Sequence, residues 1–444
     1  MTFDESRIDR NSEPLSLNSS IPSPASDLET SKPLVRDVPP HHPAINLGLI
    51  ALTLAFAYGI WYAYSVFLVA LLKEFGWKRS VLAGAFSSFA IVQGVVNPFL
   101  GTLCDRVRPP ILMATGGVVL ALALFADSFI QTPQQLYLYF GIFTATGVAL
   151  CGWAPALVLV QRRYATRLGL ALGIISAGVG LGMLIVPPLC QFLIELHDWR
   201  AAFRWLALGT VVWVLPASLY LLTDAGAPGP QNISKRSAPS RDKAAMTLQR
   251  ATRTGSFWLL VLAFFCGTYC SQTLHVHQVA FLVDHGIASM TAASVVGLVG
   301  LASIFGKIGG GWLSDHFQRE IVYCSGVAIL VLSVLALYLV GITATHWGVY
   351  VYAVMLGLGY SATASLTPAM FSDRFAGPRF GTIIGVGLLA SSIGSASGPW
   401  MAGHLFDVTG SYTLALCIAA GAGTVAGLCA WQAGRRRMRL VVAA

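Results

Sequence analysis

Asn97-Pro-Phe-Leu-Gly-Thr-Leu-Cys-Asp-Arg106 returns later in the chain as Lys307-Ile-Gly-Gly-Gly-Trp-Leu-Ser-Asp-His316, with Gly101, Leu103 and Asp105 falling on Gly311, Leu313 and Asp315 at an offset of 210. A second pair repeats at an offset of 212, where Gly169, Gly173, Gly182 and Pro187 fall on Gly381, Gly385, Gly394 and Pro399. Two separate matches at nearly the same distance make the chain a duplication, and each motif closes or opens an apolar stretch. The fold must therefore be read as two copies of one hydrophobic unit.

Outward from these motifs, apolar segments recur near 46–70, 80–101, 110–130, 135–158, 168–192, 201–222, 256–281, 291–313, 321–341, 347–368, 381–403 and 411–432. Each approaches the ~20 residues a bilayer-spanning helix requires. The expected fold is an all-α membrane protein of twelve transmembrane helices in two pseudo-symmetric six-helix bundles, over 45–222 and 255–434. Residues 1–44, rich in Ser, Pro and acids, read as a disordered cytoplasmic tail. Residues 223–254 form a polar cytoplasmic linker, and 435–444 a basic cytoplasmic tail.

Composition supports this reading. The 444 residues are 55% hydrophobic and 11% charged, against about 25% charged in soluble domains. The net charge of +9 is explained by placement: with a cytoplasmic N-terminus, 22 of the 28 lysines and arginines fall on the inside, as the positive-inside bias requires. A nucleic-acid partner is thereby disfavoured, and the lipid bilayer of the cell membrane takes its place. The eight cysteines fall singly, with no spacing for zinc or an iron–sulfur cluster. No metal, cofactor, nucleotide loop or nucleophile–base constellation is expected, so the chain does not read as an enzyme or an ATP-driven pump.

Gly101-x-Leu103-x-Asp105-Arg106 resembles the loop motif of the major facilitator superfamily, with a second copy at Gly311, Leu313 and Asp315. The first copy departs from it at Arg108-Pro109-Pro110. Lys73-Glu-Phe-Gly-Trp-Lys-Arg-Ser80, Tyr164 with Arg167-Leu-Gly-Leu-Ala-Leu-Gly173, and Asp284-His-Gly-Ile287 resemble the monocarboxylate transporter and oxalate/formate antiporter branch. The resemblance implies transport of a small organic anion, by two bundles rocking around a shared site.

Lys307 is the one cation well inside a span, and intramembrane charge is a functional candidate by default. It matches a position where this branch commonly has an arginine that binds substrate carboxylate. The acid that often precedes it by one turn is here Ser303, and the second cation of the oxalate branch is replaced by Ser391. One central cation favours a monocarboxylate. Proton coupling then points to His275 and His277, about 200° apart on one helix. His275 shares a face with Gln272 and Gln278, while His277 better matches a histidine of bacterial relatives. Gln93, Asn97 (the repeat mate of Lys307), Tyr62, Trp153 and Tyr360 are further lining candidates, and Gly101, Asp105, Arg106, Gly311 and Asp315 are expected to gate. Alternatives are a transporter of a larger, mainly apolar compound and a transporter-derived sensor without transport. The chain is expected to work as a monomer.

Overall fold

The computed structural model describes residues 43–164, 168–223, 248–343, 346–375 and 380–442, without the side chains of 43, 105, 168, 169, 346 and 436–442. Residues 1–42 of the expected N-terminal tail and 224–247 of the linker lie outside these residues, as does the Asp105 side chain, whereas Leu248–Thr252 of the linker is helical. Among the described residues, twelve helices are long and apolar enough to cross a membrane. They are α1 (Pro43–Phe75), α2 (Arg79–Arg106), α3 (Pro109–Asp127), α4 (Pro133–Arg163), α5 (Leu168–Leu196), α6 (Trp199–Thr223), α7 (Gly255–Asp284), α8 (Ser289–His316), α9 (Arg319–Thr343), α10 (His346–Phe375), α11 (Phe380–Thr409) and α12 (Thr413–Val442). Most run several residues beyond their apolar windows. The last continues as helix through residues expected to form a tail.

Local chemistry sets the breaks. Pro109 and Pro110 open α3, where a missing amide costs nothing. Thr132 and Gln135 form a reciprocal cap that starts α4, and the Asp198 carboxylate accepts from the Ala201 amide at the head of α6. Gly76 and Gly286 end α1 and α7 at φ 61° and 81°, a left-handed geometry that favours glycine. These two lie 210 residues apart, so the duplication extends to its turns.

A further pair shows the same symmetry. Arg163, near the end of α4, donates to the Leu221 carbonyl of α6 at 3.0 Å, and Arg374, at the matching place in α10, donates to the Ala433 carbonyl of α12 at 2.5 Å. Within each bundle a glycine row lets two helices nearly touch. Gly178 and Gly182 of α5 lie against the Ala51 and Ala55 backbone of α1, and Gly394 and Gly398 of α11 against Phe265 and Tyr269 of α7. Small residues are what allow such approach inside a membrane.

Between the bundles the contacts are α2 with α11, α5 with α8, and α1 with α7. The seam is not uniform along its length. Gly94 meets Ser392, Gly180 and Gly300 meet one another's helices, and Gly403 meets the Arg79–Ser80 backbone. Toward the face where α1 begins and α12 ends, termed the terminal face, a Cβ at Gly101, Gly173 or Gly311 would meet no described residue within 4 Å. A seven-residue step holds Gly101 on the face of Gly94, and Gly173 on that of Gly180. The bundles are thus joined at the far face and through the middle, and parted at the terminal face.

Candidate substrate-binding site

The far face is closed by a network that spans the two bundles. The Arg79 guanidinium pairs with Asp284 at 2.7 Å, donates to the Tyr412 hydroxyl at 2.5 Å and stacks over Phe406 at 3.8 Å. The Asp407 carboxylate accepts from the Arg79 and Ser80 amides, both at 2.9 Å. An acid of one bundle therefore caps the first turn of α2 in the other, where it also meets the positive end of the helix dipole. A cleft of about 400 Å³ opens beside this network, lined by Arg79, Asp284, His285, Tyr338 and Tyr412 among others.

His277 belongs to this closure. Its Nε2 lies 2.8 Å from the Pro399 carbonyl and its Nδ1 3.0 Å from the Tyr412 hydroxyl. A carbonyl only accepts, so Nε2 carries the hydrogen and Tyr412 donates to Nδ1. Both ring nitrogens are then used, and the residue sits behind the lock rather than at the centre.

His275, two residues earlier, faces the other way. Its ring packs against Tyr62 of α1 at 5.1 Å and Tyr360 of α10 at 4.8 Å. The two tyrosine hydroxyls meet at 2.6 Å, a direct bridge between the bundles. Gln272, one turn before His275, lies beside the Tyr62 hydroxyl. Lys307 of α8 sets its Nζ 5.7 Å from the centre of the Tyr360 ring. It is half-buried, and among the described residues no ion pair includes it. Tyr62, His275, Lys307 and Tyr360 thus come together from four helices around one point between the bundles.

The remaining candidates lie apart from that point. Gln93 donates to the Ala145 carbonyl of α4 at 2.8 Å, and Asn97 donates to Gln93 at 3.2 Å. They tie α2 to its own bundle. Trp153 follows the break in α4 at Gly152 and packs with Tyr58 against one apolar cluster at the terminal side of the first bundle. At the terminal face Arg106 and Asp315 are exposed, and Asp315 makes no ion pair among the described residues.

Comparison with known proteins identifies the family. The family model described as Major Facilitator Superfamily matches residues 50–362 and 278–439. The chain belongs to the major facilitator superfamily. Among curated relatives of this facilitator, monocarboxylate transporter 13 of Bos taurus is 28% identical over 377 residues, covering 84% of each chain. Monocarboxylate transporter 13 of Rattus norvegicus is 26% identical over 391 residues, with 84% of each covered. Monocarboxylate transporter 12 of Xenopus laevis is 29% identical over 325 residues, covering 68% of this chain and 69% of that one. In fold, the facilitator resembles the crystal structure of a bacterial homologue of the human lysosomal transporter Spinster in an inward-facing and occupied conformation. That match has a TM-score of 0.68 at 17% identity, covering 88% of this chain and 97% of the other. The protein is a multi-pass membrane transporter, not an enzyme.

Sequence reasoning did not foresee the far-face lock. Arg79 and Asp284 stand in motifs that carry the resemblance, but nothing in them shows that they pair across 205 positions, or that Asp407 reaches Arg79 across 328. The usable signal was the turn glycines beside them.

Proposed function

We propose that this facilitator carries a small organic anion, a monocarboxylate, by alternating access, with Lys307 as the charge that holds it. The observation that supports this most is a half-buried ammonium without an acidic partner among the described residues, set against Tyr360 where the bundles meet. Such a charge is costly inside the spans unless an anion joins it. The names of the relatives point to the same substrate class. Charging of Lys307 and arrival of a carboxylate favour one another, and that linkage is what proton coupling needs. The basic loops support a cytoplasmic terminal face, and on that reading the conformation described is open inward, in the cell membrane.

The test is uptake of labelled monocarboxylates into proteoliposomes. Saturable uptake driven by an inward proton gradient is expected, lost in Lys307→Ala and retained in part by Lys307→Arg. Undiminished uptake by Lys307→Ala would remove the residue from the mechanism.

A further inference from the structure

Deep in the central cluster, two buried acceptors have no partner among the described residues. His275 is 3% exposed and Gln272 6%, and neither the His275 Nε2 nor the Gln272 Oε1 makes a hydrogen bond to a described residue. The tautomer of His275 follows from its other nitrogen. Nδ1 lies 2.7 Å from the Ser271 carbonyl, which cannot donate, so Nδ1 carries the hydrogen and a neutral ring presents a bare lone pair at Nε2. A three-residue step puts Gln272 and His275 on one face of α7, and both touch Tyr62. The same tyrosine pair links them to Lys307 through Tyr360.

We propose that His275 Nε2 and Gln272 Oε1 form a subsite for a hydrogen-bond donor on the substrate, so that the preferred cargo is a hydroxy monocarboxylate rather than a keto acid. This rests on Lys307 holding the carboxylate. A hydroxy acid places its carboxylate on the ammonium and gives its hydroxyl proton to the pair. A keto acid of the same size offers only lone pairs, and both acceptors then stay buried and unmatched, a loss that discriminates strongly between analogues. Tyr62 and Tyr360, packed on the His275 ring, supply the aromatic surface beside the pair.

The experiment is equilibrium binding to the full chain in nanodiscs, using lactate against pyruvate and mandelate against phenylglyoxylate. The hydroxy member of a recognised pair is expected to bind about tenfold tighter. His275→Phe keeps the ring without its acceptor and is expected to bring that ratio close to one. Gln272→Met is expected to lower the ratio as well, and it serves as the reading if the Phe variant does not give a monodisperse protein. Equal binding of both members by the wild-type chain, with a ratio indifferent to both variants, overturns the subsite and leaves Lys307 standing. Tighter binding of the keto acid, as a doubly protonated His275 would produce, also overturns it. Failure to bind any of the four acids overturns the subsite and the anion reading together.

Discussion

At the scale of single residues, Tyr62 is the most informative position outside the charged group. Its hydroxyl carries the bridge to Tyr360 and stands beside Gln272. A net hydrogen bond contributes about 1 kcal/mol, so Tyr62→Phe is expected to lower the melting temperature of the purified protein slightly. It should also raise the rate of exchange between conformations, since the bridge joins the bundles. Stopped-flow counterflow measures that rate, and a variant no faster than wild type would assign the bridge to packing alone. The sequence placed His275 and His277 on opposite faces of one helix and could go no further. The groups that separate their roles, Tyr360 and Tyr412, stand 85 and 135 positions away from them. Lys307 was legible because charge inside a span is conspicuous. The orphaned lone pairs were not, because an unmatched acceptor exists only relative to its surroundings.

At the scale of helices, the spans were legible from continuous apolar composition, and their ends were not. The α1 helix carries Lys73 and Glu74 beyond its apolar window, since backbone hydrogen bonding continues where hydropathy stops. The wide π turns at Tyr137–Thr144 of α4 and Thr210–Val214 of α6 have no marker in composition. Glycine rows were legible as rows, but which helix each meets was not. Gly182→Val is expected to push the Ala55 backbone away from α5 and to destabilise the protein by about 1–3 kcal/mol, read as an earlier thermal transition. Gly101→Val meets nothing in the conformation described. It should leave the melting temperature close to wild type while slowing transport, because the terminal face must close on that surface. A normal transport rate in this variant would mean that α2 does not approach α11 there.

At the scale of the whole molecule, duplication and the bundle division were plain in the 210-residue offset, whereas the conformational state was not, because two arrangements share one sequence. The far-face lock holds the present one. Charge-assisted hydrogen bonds contribute about 1.5–3 kcal/mol before solvent screening. Arg79→Ala is therefore expected to shift the ratio of the two arrangements about tenfold toward opening at the far face. Spin labels at Phe129→Cys and Ile342→Cys, with native cysteines replaced, would report this as a population of longer distances. An unchanged distribution would show that the glycine seam alone keeps the far face shut.

That seam has an energetic consequence. The same strips of α2, α5, α8 and α11 are in contact at one end and bare at the other, so rolling the bundles along them exchanges one set of van der Waals contacts for another of similar extent. The two end states then differ by a small residual rather than by the whole interface. A ligand needs only a modest preference to reverse their populations, and a molecule built this way can be driven through its cycle by cargo no larger than a few heavy atoms.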